Sequence, residues 1–169
     1  MQTKIIDRLS PDLDEVALDS PRATFYHTGV WLDSIAHTYP GMKLRCIVAE
    51  DGIRVIGFLP FFDIRRGPTR TLWSLPFGTY GGPVVRAVEA NAGVEQRLLA
   101  EYLSMRRGLG VIEIGLVDYS NVVPKGVFSF DTSSTHVLDL GGGFEEVWKN
   151  RFDKSKRRQA RKAKREGLS

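Results

Sequence analysis

A glycine-rich aromatic segment, SLPFGTYGGPVV (residues 74–85), combines the residue types best suited to holding a small ligand. Its glycines have no Cβ, which lets the backbone approach a bound group closely. Its two aromatic side chains could form a wall against which that group stacks. A structural turn uses the same glycines for tight dihedral angles, and the spacing alone leaves both interpretations open. The predicted ligand contacts are Phe77, Gly78, Tyr80, Gly81 and Gly82.

Two further features could complete such a site. A helix predicted to begin near Ala90 would bring its N-terminus, where partial positive charge collects, close to an anion or a carbonyl oxygen. The polar group DYSN (118–121) follows the apolar run VIEIGLV (111–117), and the end of a buried strand is a common place for substrate contacts. Tyr119 is the predicted contact there, although an ordinary turn has the same composition.

The strongest charge feature is a basic segment near the end of the sequence. Between Lys149 and Glu166 there are ten Lys or Arg and two acidic residues, whereas the rest of the chain has 14 basic and 18 acidic residues. The overall net charge of +4 therefore comes from one segment and not from a generally basic surface. The segment is predicted to be a helix capped by Asp153 or Ser155 and ending near Gly167. Its predicted contacts with a polyanion or an acidic partner are Lys154, Arg157, Arg158, Arg161, Lys162 and Arg165.

Three interpretations of this basic helix stay open at the level of sequence. It could be a solvated helix, it could bind a polyanion such as nucleic acid or anionic lipid, or it could rest on a partner. Its apolar residues are only Ala160, Ala163 and Leu168, so the helix would be marginal alone in water. That marginal stability favours the second and third interpretations.

The sequence lacks the residue patterns of zinc sites, of serine hydrolases and of phosphate-binding loops. His27, His37 and His136 are widely separated, so no zinc-binding pair is predicted. Neither a G-x-S-x-G nor a G-x-x-x-x-G-K-[ST] motif is present. No tightly bound cofactor or metal is expected, and no residue stands out as a general base. Cys46 lies in an alternating run, KLRCIVAE, and is predicted to be a buried apolar side chain.

Apolar periodicity and turn residues predict the elements that must position these groups. Asp51-Gly52 is the strongest hairpin feature, and the strand after it contains Pro60, which favours a bulge or an edge position. Thr28 is the predicted N-cap of the first helix, and the acidic stretch 12–19 is predicted to be a surface segment. Strands are predicted at 4–8, 43–50, 53–64, 71–75, 111–117 and 134–140, and helices at 28–38, 90–108, 144–152 and from 153 onward.

This order of elements predicts an α+β fold with a mixed sheet, in contrast to the regular strand–helix alternation of a dinucleotide-binding domain. We expect one folded domain at 1–150, followed by the basic helix at 151–169. No apolar run reaches the length of a signal peptide or of a membrane span. A cytoplasmic location is therefore expected, including the inner face of a membrane.

Three segments together resemble the FemAB family of acyltransferases. TFYHTGVWLDSI (24–35) is similar to the N-terminal element of that family, and SLPFGTYGGPVV is similar to its glycine-proline loop. FDKSKRRQARKAKREGL (152–168) is similar to its basic helix, S-K-x-R-R-x-x-R-K-A-x-x-x-G, and is the most specific of the three. The resemblance covers essentially the whole chain but only the first half of a typical member.

The resemblance implies a GNAT-like domain with a mixed, mainly antiparallel sheet flanked by helices, and a second GNAT-like domain that is absent from this chain. Family members transfer aminoacyl groups from charged tRNA to peptidoglycan precursors, and relatives in cell-envelope or exopolysaccharide systems use other acyl donors. The implied activity is acyl or aminoacyl transfer to an amine of a cell-envelope precursor, with aminoacyl-tRNA or acyl-CoA as the donor. Because the second domain holds much of the family's active site, the chain alone is expected to be inactive.

The chain also departs from the family pattern. Peptidoglycan-type members often have a lysine four residues after the helix tryptophan, where this chain has Ile35, and the acetyl-CoA signature Q/R-x-x-G-x-G/A is absent. From the residues alone, a nucleic-acid-binding module or a scaffold acting through 154–165 stays an alternative. No nucleic-acid-binding fold motif supports that alternative, and no aromatic residues alternate with the cations.

Overall fold

The fold is described from a computed structural model, which defines residues 1–89, 93–117, 139 and 141–167. The chain divides into two compact units, Met1–Phe128 and Ser129–Ser169. The predicted strand at 134–140 lies outside the described residues apart from position 139. Among the described residues, no helix combines the length and the hydrophobicity that crossing a bilayer requires.

The first unit contains a six-stranded sheet and three α-helices in its described part. Short 3₁₀ turns lie at Phe25–His27, Ala87–Glu89 and Met105–Arg107. The strands are β1 (Gln2–Ile6), β2 (Met42–Asp51), β3 (Arg54–Arg66), β4 (Thr69–Ser74), β5 (Val84–Val85) and β6 (Val111–Leu116), and the helices are α1 (Pro11–Asp19), α2 (Gly29–Thr38) and α3 (Val94–Ser104).

The sheet is mixed and mainly antiparallel, as predicted. Its strand order is β1-β2-β3-β4-β6, and the short β5 pairs with β3. Only β4 and β6 pair in parallel among the described strands. The predicted Asp51-Gly52 hairpin joins β2 to β3, and Gly52 takes a φ of 61° that an L side chain rarely adopts.

The prediction for Pro60 is wrong about the strand's position. Pro60 lies in β3, an interior strand, and its pairing with Cys46 of β2 is uninterrupted. On the other side of β3, β4 pairs from Phe62 onward and β5 pairs only with Gly57 and Phe58. The proline therefore faces a gap in the ladder, where its missing N–H leaves no partner unsatisfied.

The acidic stretch 12–19 forms a helix, α1, which the sequence analysis does not predict. The carboxylates of this helix hide an apolar stripe, Leu13, Val16 and Ala17, that is buried against the sheet. Pro11 occupies the first helical turn, where its fixed φ favours a helix start. The stretch is therefore an amphipathic helix, although its composition is mainly acidic.

Helices cover both faces of the sheet because strand side chains alternate between the faces. Ile47 of β2 packs in the cluster that contains Leu98 of α3. Its neighbour Val48 packs with Val16 of α1, on the opposite face. Leu32 of α2 belongs to a third buried cluster, with side chains of β2 and β3. The third cluster therefore packs α2 against the sheet.

Cys46 is buried in β2, as predicted, and burial raises the pKa of its thiol to about 12. We expect no reaction with Ellman's reagent in the native protein at a pH of about 8, because the thiolate is the reactive form. In denaturant the thiol should react stoichiometrically. Rapid stoichiometric labelling of the native protein would contradict the burial.

The described part of the second unit consists of a short helix and a long basic one. The short helix, α4 (Gly143–Glu146), continues as a π-helical turn, Val147–Arg151, and the basic helix is α5 (Lys154–Arg165). The predicted cap is confirmed, since the Asp153 Oδ1 accepts a hydrogen bond of 2.9 Å from the Lys156 N–H. That hydrogen bond lowers the pKa of the Asp153 carboxyl.

Candidate functional site

The glycine-rich segment forms a loop, residues 75–83, between β4 and β5. Because β4 and β6 are parallel and Ser74 pairs with Leu116, the carboxyl ends of both strands lie at one edge of the sheet. The loop starts at that edge and returns to β3 through β5. Ligand sites in sheet proteins often lie at the carboxyl ends of parallel strands.

Ser74 closes the base of this loop from a fully buried position. Its Oγ donates a hydrogen bond of 2.7 Å to the Pro60 carbonyl and accepts one of 2.9 Å from the Gly82 N–H. The Gly81 N–H donates to the Val117 carbonyl over 2.7 Å, which ties the loop to the end of β6. A Cβ at Gly81 would lie 2.3 Å from the Ser74 carbonyl oxygen. Gly81 and Gly82 therefore close the loop at its base.

The tip of the loop is open and has an unusual backbone. Gly78 has a φ of 70° and no atom within 4 Å of a Cβ built on it. Leu75 and Phe77 also have positive φ values, 61° and 68°, which are uncommon for residues with a Cβ. Such backbone conformations are concentrated at functional sites. Here they bury the Leu75 side chain and leave that of Phe77 exposed.

Aromatic side chains from two distant segments meet around this tip. The ring of Phe77 lies 5.1 Å from that of Tyr39, and the ring of Tyr80 lies 6.4 Å from that of Tyr26. Tyr26 in turn packs edge-on against Trp31 at 5.3 Å. We call this surface the aromatic rim; it consists of Phe25, Tyr26, Trp31, Tyr39, Phe77 and Tyr80.

Side-chain hydrogen bonds position the first part of the rim. The Thr24 N–H donates to the Nδ1 of His27 over 3.1 Å, so this nitrogen acts as an acceptor and holds the Phe25–His27 turn. Thr28 lies at the predicted N-cap position of α2, but its hydroxyl donates to the Phe25 carbonyl instead of capping the helix. The Asp14 Oδ1 accepts from the Gly29 N–H over 2.7 Å. A carboxylate of α1 thus supplies the cap of α2.

The candidate site contains N–H groups that donate no hydrogen bond to the described residues. The backbone N–H groups of Gly78 and Thr79 donate to no other group in the part of the chain that the structure describes. The indole N–H of Trp31 is buried without a hydrogen-bond partner among the same residues. Donors of this kind can bind a carbonyl or an oxyanion. In the described ranges, no group of three His, Cys, Asp or Glu side chains could hold a metal ion.

The predicted start of the helix after the loop, which was proposed to present its N-terminus to an anion, is wrong. The helix begins at Val94, not near Ala90, and its first turn contains Glu95. The Glu95 Oε2 lies 2.6 Å from the Nη1 of Arg22. The positive end of α3 therefore already faces a carboxylate of the chain itself, which opposes the binding of a second anion there.

The predicted ligand contacts divide into three groups in the structure. Phe77 and Tyr80 belong to the aromatic rim, and Gly78 forms the open tip, whereas Gly81 and Gly82 lie at the closed base. Tyr119 lies outside the described residues. Sequence reasoning missed Tyr26, Trp31 and Tyr39 as neighbours of the loop. The aromatic content of the resembling segment 24–35 was the only indication of Tyr26 and Trp31, and Tyr39 lies outside that segment.

The six cations predicted to bind a polyanion all lie on α5 or in its last turn. No residue of α5 is buried. Arg157 is additionally used within the unit, because its Nη1 donates to the Lys149 carbonyl over 2.8 Å. Lys162 forms an exposed ion pair with Glu166 at 3.7 Å. Lys154, Arg158, Arg161 and Arg165 complete the set.

The sequence matches no protein-family profile and no curated protein. Among solved structures, it is similar to a ribosomal-protein-alanine N-acetyltransferase from Brucella melitensis biovar Abortus 2308, with a TM-score of 0.50 and 12% identity over 81% of this chain and 99% of that one. A GNAT family acetyltransferase from Staphylococcus aureus subsp. aureus USA300_TCH1516 gives a TM-score of 0.48 and 15% identity over 82% and 100%. For an aminoglycoside 6′-N-acetyltransferase complexed with coenzyme A, the TM-score is 0.43 and the sequence identity is 19%, over 68% of this chain and 59% of that one.

At these identities the similarity concerns the fold alone. The predicted fold class is confirmed: the chain has a GNAT-like α+β fold, with a mostly antiparallel mixed sheet flanked by helices.

Proposed function

We propose that this GNAT-like chain is the N-terminal domain of a FemAB-related acyltransferase, which transfers an acyl or aminoacyl group to an amine of a cell-envelope or exopolysaccharide precursor. The aromatic rim and the tip of loop 75–83 would form one wall of the substrate cleft. A second GNAT-like domain would form the other wall, and we propose Tyr119 as a further substrate contact from this chain. We propose that the enzyme works in the cytoplasm, at the inner face of the membrane.

One observation carries this proposal. Segments 24–35 and 74–85 were each identified by their resemblance to the same family, and they are far apart in the sequence. In the fold their aromatic side chains lie next to each other, with Tyr26 facing Tyr80 across 6.4 Å. Their meeting point is beside the carboxyl ends of the parallel strands β4 and β6. Two independent resemblances therefore converge on one surface.

The donors at the loop tip fit the chemistry of acyl transfer. The nitrogen of the acceptor amine attacks the acyl carbonyl carbon, and the carbonyl oxygen becomes an oxyanion. The free N–H groups of Gly78 and Thr79 would stabilise that charge. The intermediate then expels the leaving group, a thiol or a ribose hydroxyl, which takes up the proton lost by the amine. Alignment of the two substrates supplies most of the rate, and a water relay can move the proton.

We propose aminoacyl-tRNA or acyl-CoA as the donor. Both carry phosphates, and the ion-paired Glu95 disfavours a phosphate at the N-terminus of α3. The donor's phosphates would therefore lie elsewhere, and α5 is the strongest concentration of positive charge available. We propose that α5 contacts either the second domain or these phosphate-bearing groups.

The first test is to read the gene beyond Ser169 and to assay the complete product. The assay would mix the protein with acetyl-CoA or aminoacyl-tRNA and an amine-bearing envelope precursor, and detect the acylated acceptor by mass spectrometry. We expect turnover by the complete protein and none by residues 1–169 alone. Turnover by residues 1–169 would overturn the role of the second domain, and no turnover by the complete protein would overturn acyl transfer.

Substitutions in the rim test the placement of the site. In the complete protein, Phe77→Ala and Tyr80→Ala should each lower kcat/KM by about tenfold, the equivalent of one lost stacking contact. Ile53→Ala is the matched control, since Ile53 is an exposed apolar residue of the β2–β3 hairpin. An equal loss of kcat/KM in all three variants would contradict a site at the rim.

A further inference from the structure

The second unit carries a row of three aromatic side chains that no part of the proposed cleft uses. Phe144 stacks on Trp148 with the ring centroids 5.8 Å apart, and Trp148 lies 5.5 Å from Phe152. Phe144 is 71% exposed and Phe152 is 38% exposed. Because large exposed apolar groups in a row indicate an interaction surface, this aromatic row needs a partner.

The aromatic row is attached to the basic helix within the same unit. The π-helical turn that contains Trp148 ends at Arg151, and α5 begins three residues later. The Arg157 guanidinium reaches back to the Lys149 carbonyl, which holds the first turn of α5 against that segment. Between Gly141 and Gly167 there are ten Lys or Arg against four acidic residues. Strong positive charge and exposed aromatic rings therefore occur side by side.

We infer that the aromatic row and α5 together bind the surface of a lipid bilayer that contains anionic headgroups. The Phe and Trp rings would enter the boundary between headgroups and acyl chains, and the cations of α5 would lie over the lipid phosphates. This inference rests on the proposed location at the inner face of the membrane, and it assigns α5 to lipid phosphates in place of the second domain or the donor's phosphates. It does not depend on the acyl-transfer reaction.

The geometry favours lipid over nucleic acid as the occupant. Bases bind to free ring faces, whereas Trp148 is already stacked on Phe144 and packs at a tilt of 40° against Phe152. No aromatic residue lies within α5 itself, so the cations there have no stacking platform between them. The exposed side chains of Phe144 and Phe152, in contrast, are suited to insertion among lipid chains.

The experiment is co-sedimentation of the chain with vesicles in about 150 mM salt. One vesicle type contains phosphatidylcholine with about 30 mol% phosphatidylglycerol, and the other contains phosphatidylcholine alone. We expect binding to the first type and at least about a 100-fold weaker affinity for the second. Binding to a short RNA oligonucleotide is measured in parallel.

Two pairs of variants separate charge from insertion. The triple variant Arg158→Glu, Arg161→Glu, Arg165→Glu should lose vesicle binding by about 100-fold. The exposed triple Arg54→Glu, Arg66→Glu, Arg107→Glu changes the net charge equally and should retain binding. Phe144→Ser should weaken vesicle binding about tenfold without changing RNA binding, whereas Leu109→Ser, at a fully exposed residue of the first unit, should leave both unchanged.

The outcomes are distinct. Vesicle binding that needs both α5 and Phe144 supports the inference. RNA binding without vesicle binding overturns it and leaves α5 as a phosphate-binding helix. Binding to neither overturns both the inference and the phosphate-binding role of α5, and the acyl-transfer assay remains independent of all three results.

Discussion

Replacing Asp63 with asparagine should lower the free energy of unfolding by about 3 kcal/mol. The Asp63 side chain is fully buried in β3, and its two oxygens accept hydrogen bonds of 3.0 and 2.6 Å from Arg70 of β4. The amide would leave the Arg70 guanidinium without its counter-ion. Arg70 is 21% exposed, so water can reach it and the cost lies at the lower end of the range for broken buried pairs.

The loss of unfolding free energy in Asp63→Asn should also depend on pH. Burial raises the pKa of Asp63, but the hydrogen bonds and charge of Arg70, with Arg45 and Arg65, lower it more, and the net shift is downward. Since the folded-state pKa lies below the unfolded value of about 3.9, the stabilisation is complete above that value. It is lost as the pH falls through the folded-state pKa. The difference between wild type and Asp63→Asn should therefore shrink below a pH of about 4.

Urea denaturation at several pH values measures both effects. Asp7→Asn is the matched control, because Asp7 makes ion pairs with Lys43 and Arg45 at the surface and should cost less than about 1 kcal/mol. The double variant Asp63→Leu, Arg70→Met should recover most of the lost stability, since it removes both charges of the hydrogen-bonded pair while Arg45 keeps its ion pair with Asp7. Equal costs for Asp63→Asn and Asp7→Asn would show that the buried pair contributes nothing beyond a surface pair.

Gly81→Ala should destabilise the protein by about 3 kcal/mol and disrupt the loop that carries the candidate site. The added Cβ would lie 2.3 Å from the Ser74 carbonyl oxygen, and a backbone atom cannot rotate away as a side chain can. To make room, the loop must lengthen its hydrogen bonds from Gly81 to Val117 and from Gly82 to Ser74. In the complete protein this variant should lose transferase activity together with stability.

Gly78→Ala is the comparison that separates lack of space from backbone strain. Gly78 has a positive φ but open surroundings, so alanine there should cost only about 1 kcal/mol. Thermal unfolding of both variants by circular dichroism provides the measurement. If Gly78→Ala is as destabilising as Gly81→Ala, close packing at the loop base is not the reason for the glycine at position 81.

Local patterns predicted those parts of the fold that depend on neighbouring residues. The Asp51-Gly52 hairpin, the strands on either side of it, the helix at 28–38 and the capped basic helix each follow from turn residues or apolar spacing. α1 escaped prediction because its four carboxylates dominate its composition, whereas three apolar residues on one face decide its burial. The two-residue strand β5 is too short for any periodicity to be read.

In the candidate site, local patterns likewise predicted the residue types but not the contacts between distant residues. The glycines and aromatic residues of 74–85 were compatible with a ligand-binding loop or a structural turn, and their different roles were not visible in the sequence. Gly81 is required by a carbonyl oxygen seven residues earlier in the chain, and Phe77 is placed beside Tyr39 by the packing of α2. Such contacts join residues distant in sequence, so no local pattern can record them.

The sequence by itself determined the α+β fold class, the burial of Cys46 and the concentration of positive charge in one helix. These properties depend on residue type, local spacing and turn chemistry, which are present in any short window of the chain. The tertiary structure alone decided that segments 24–35 and 74–85 share one surface, that Arg22 pairs with Glu95 at the start of α3, and that Ser74 joins the Pro60 carbonyl to the loop. Each of these depends on where the sheet brings separate segments together.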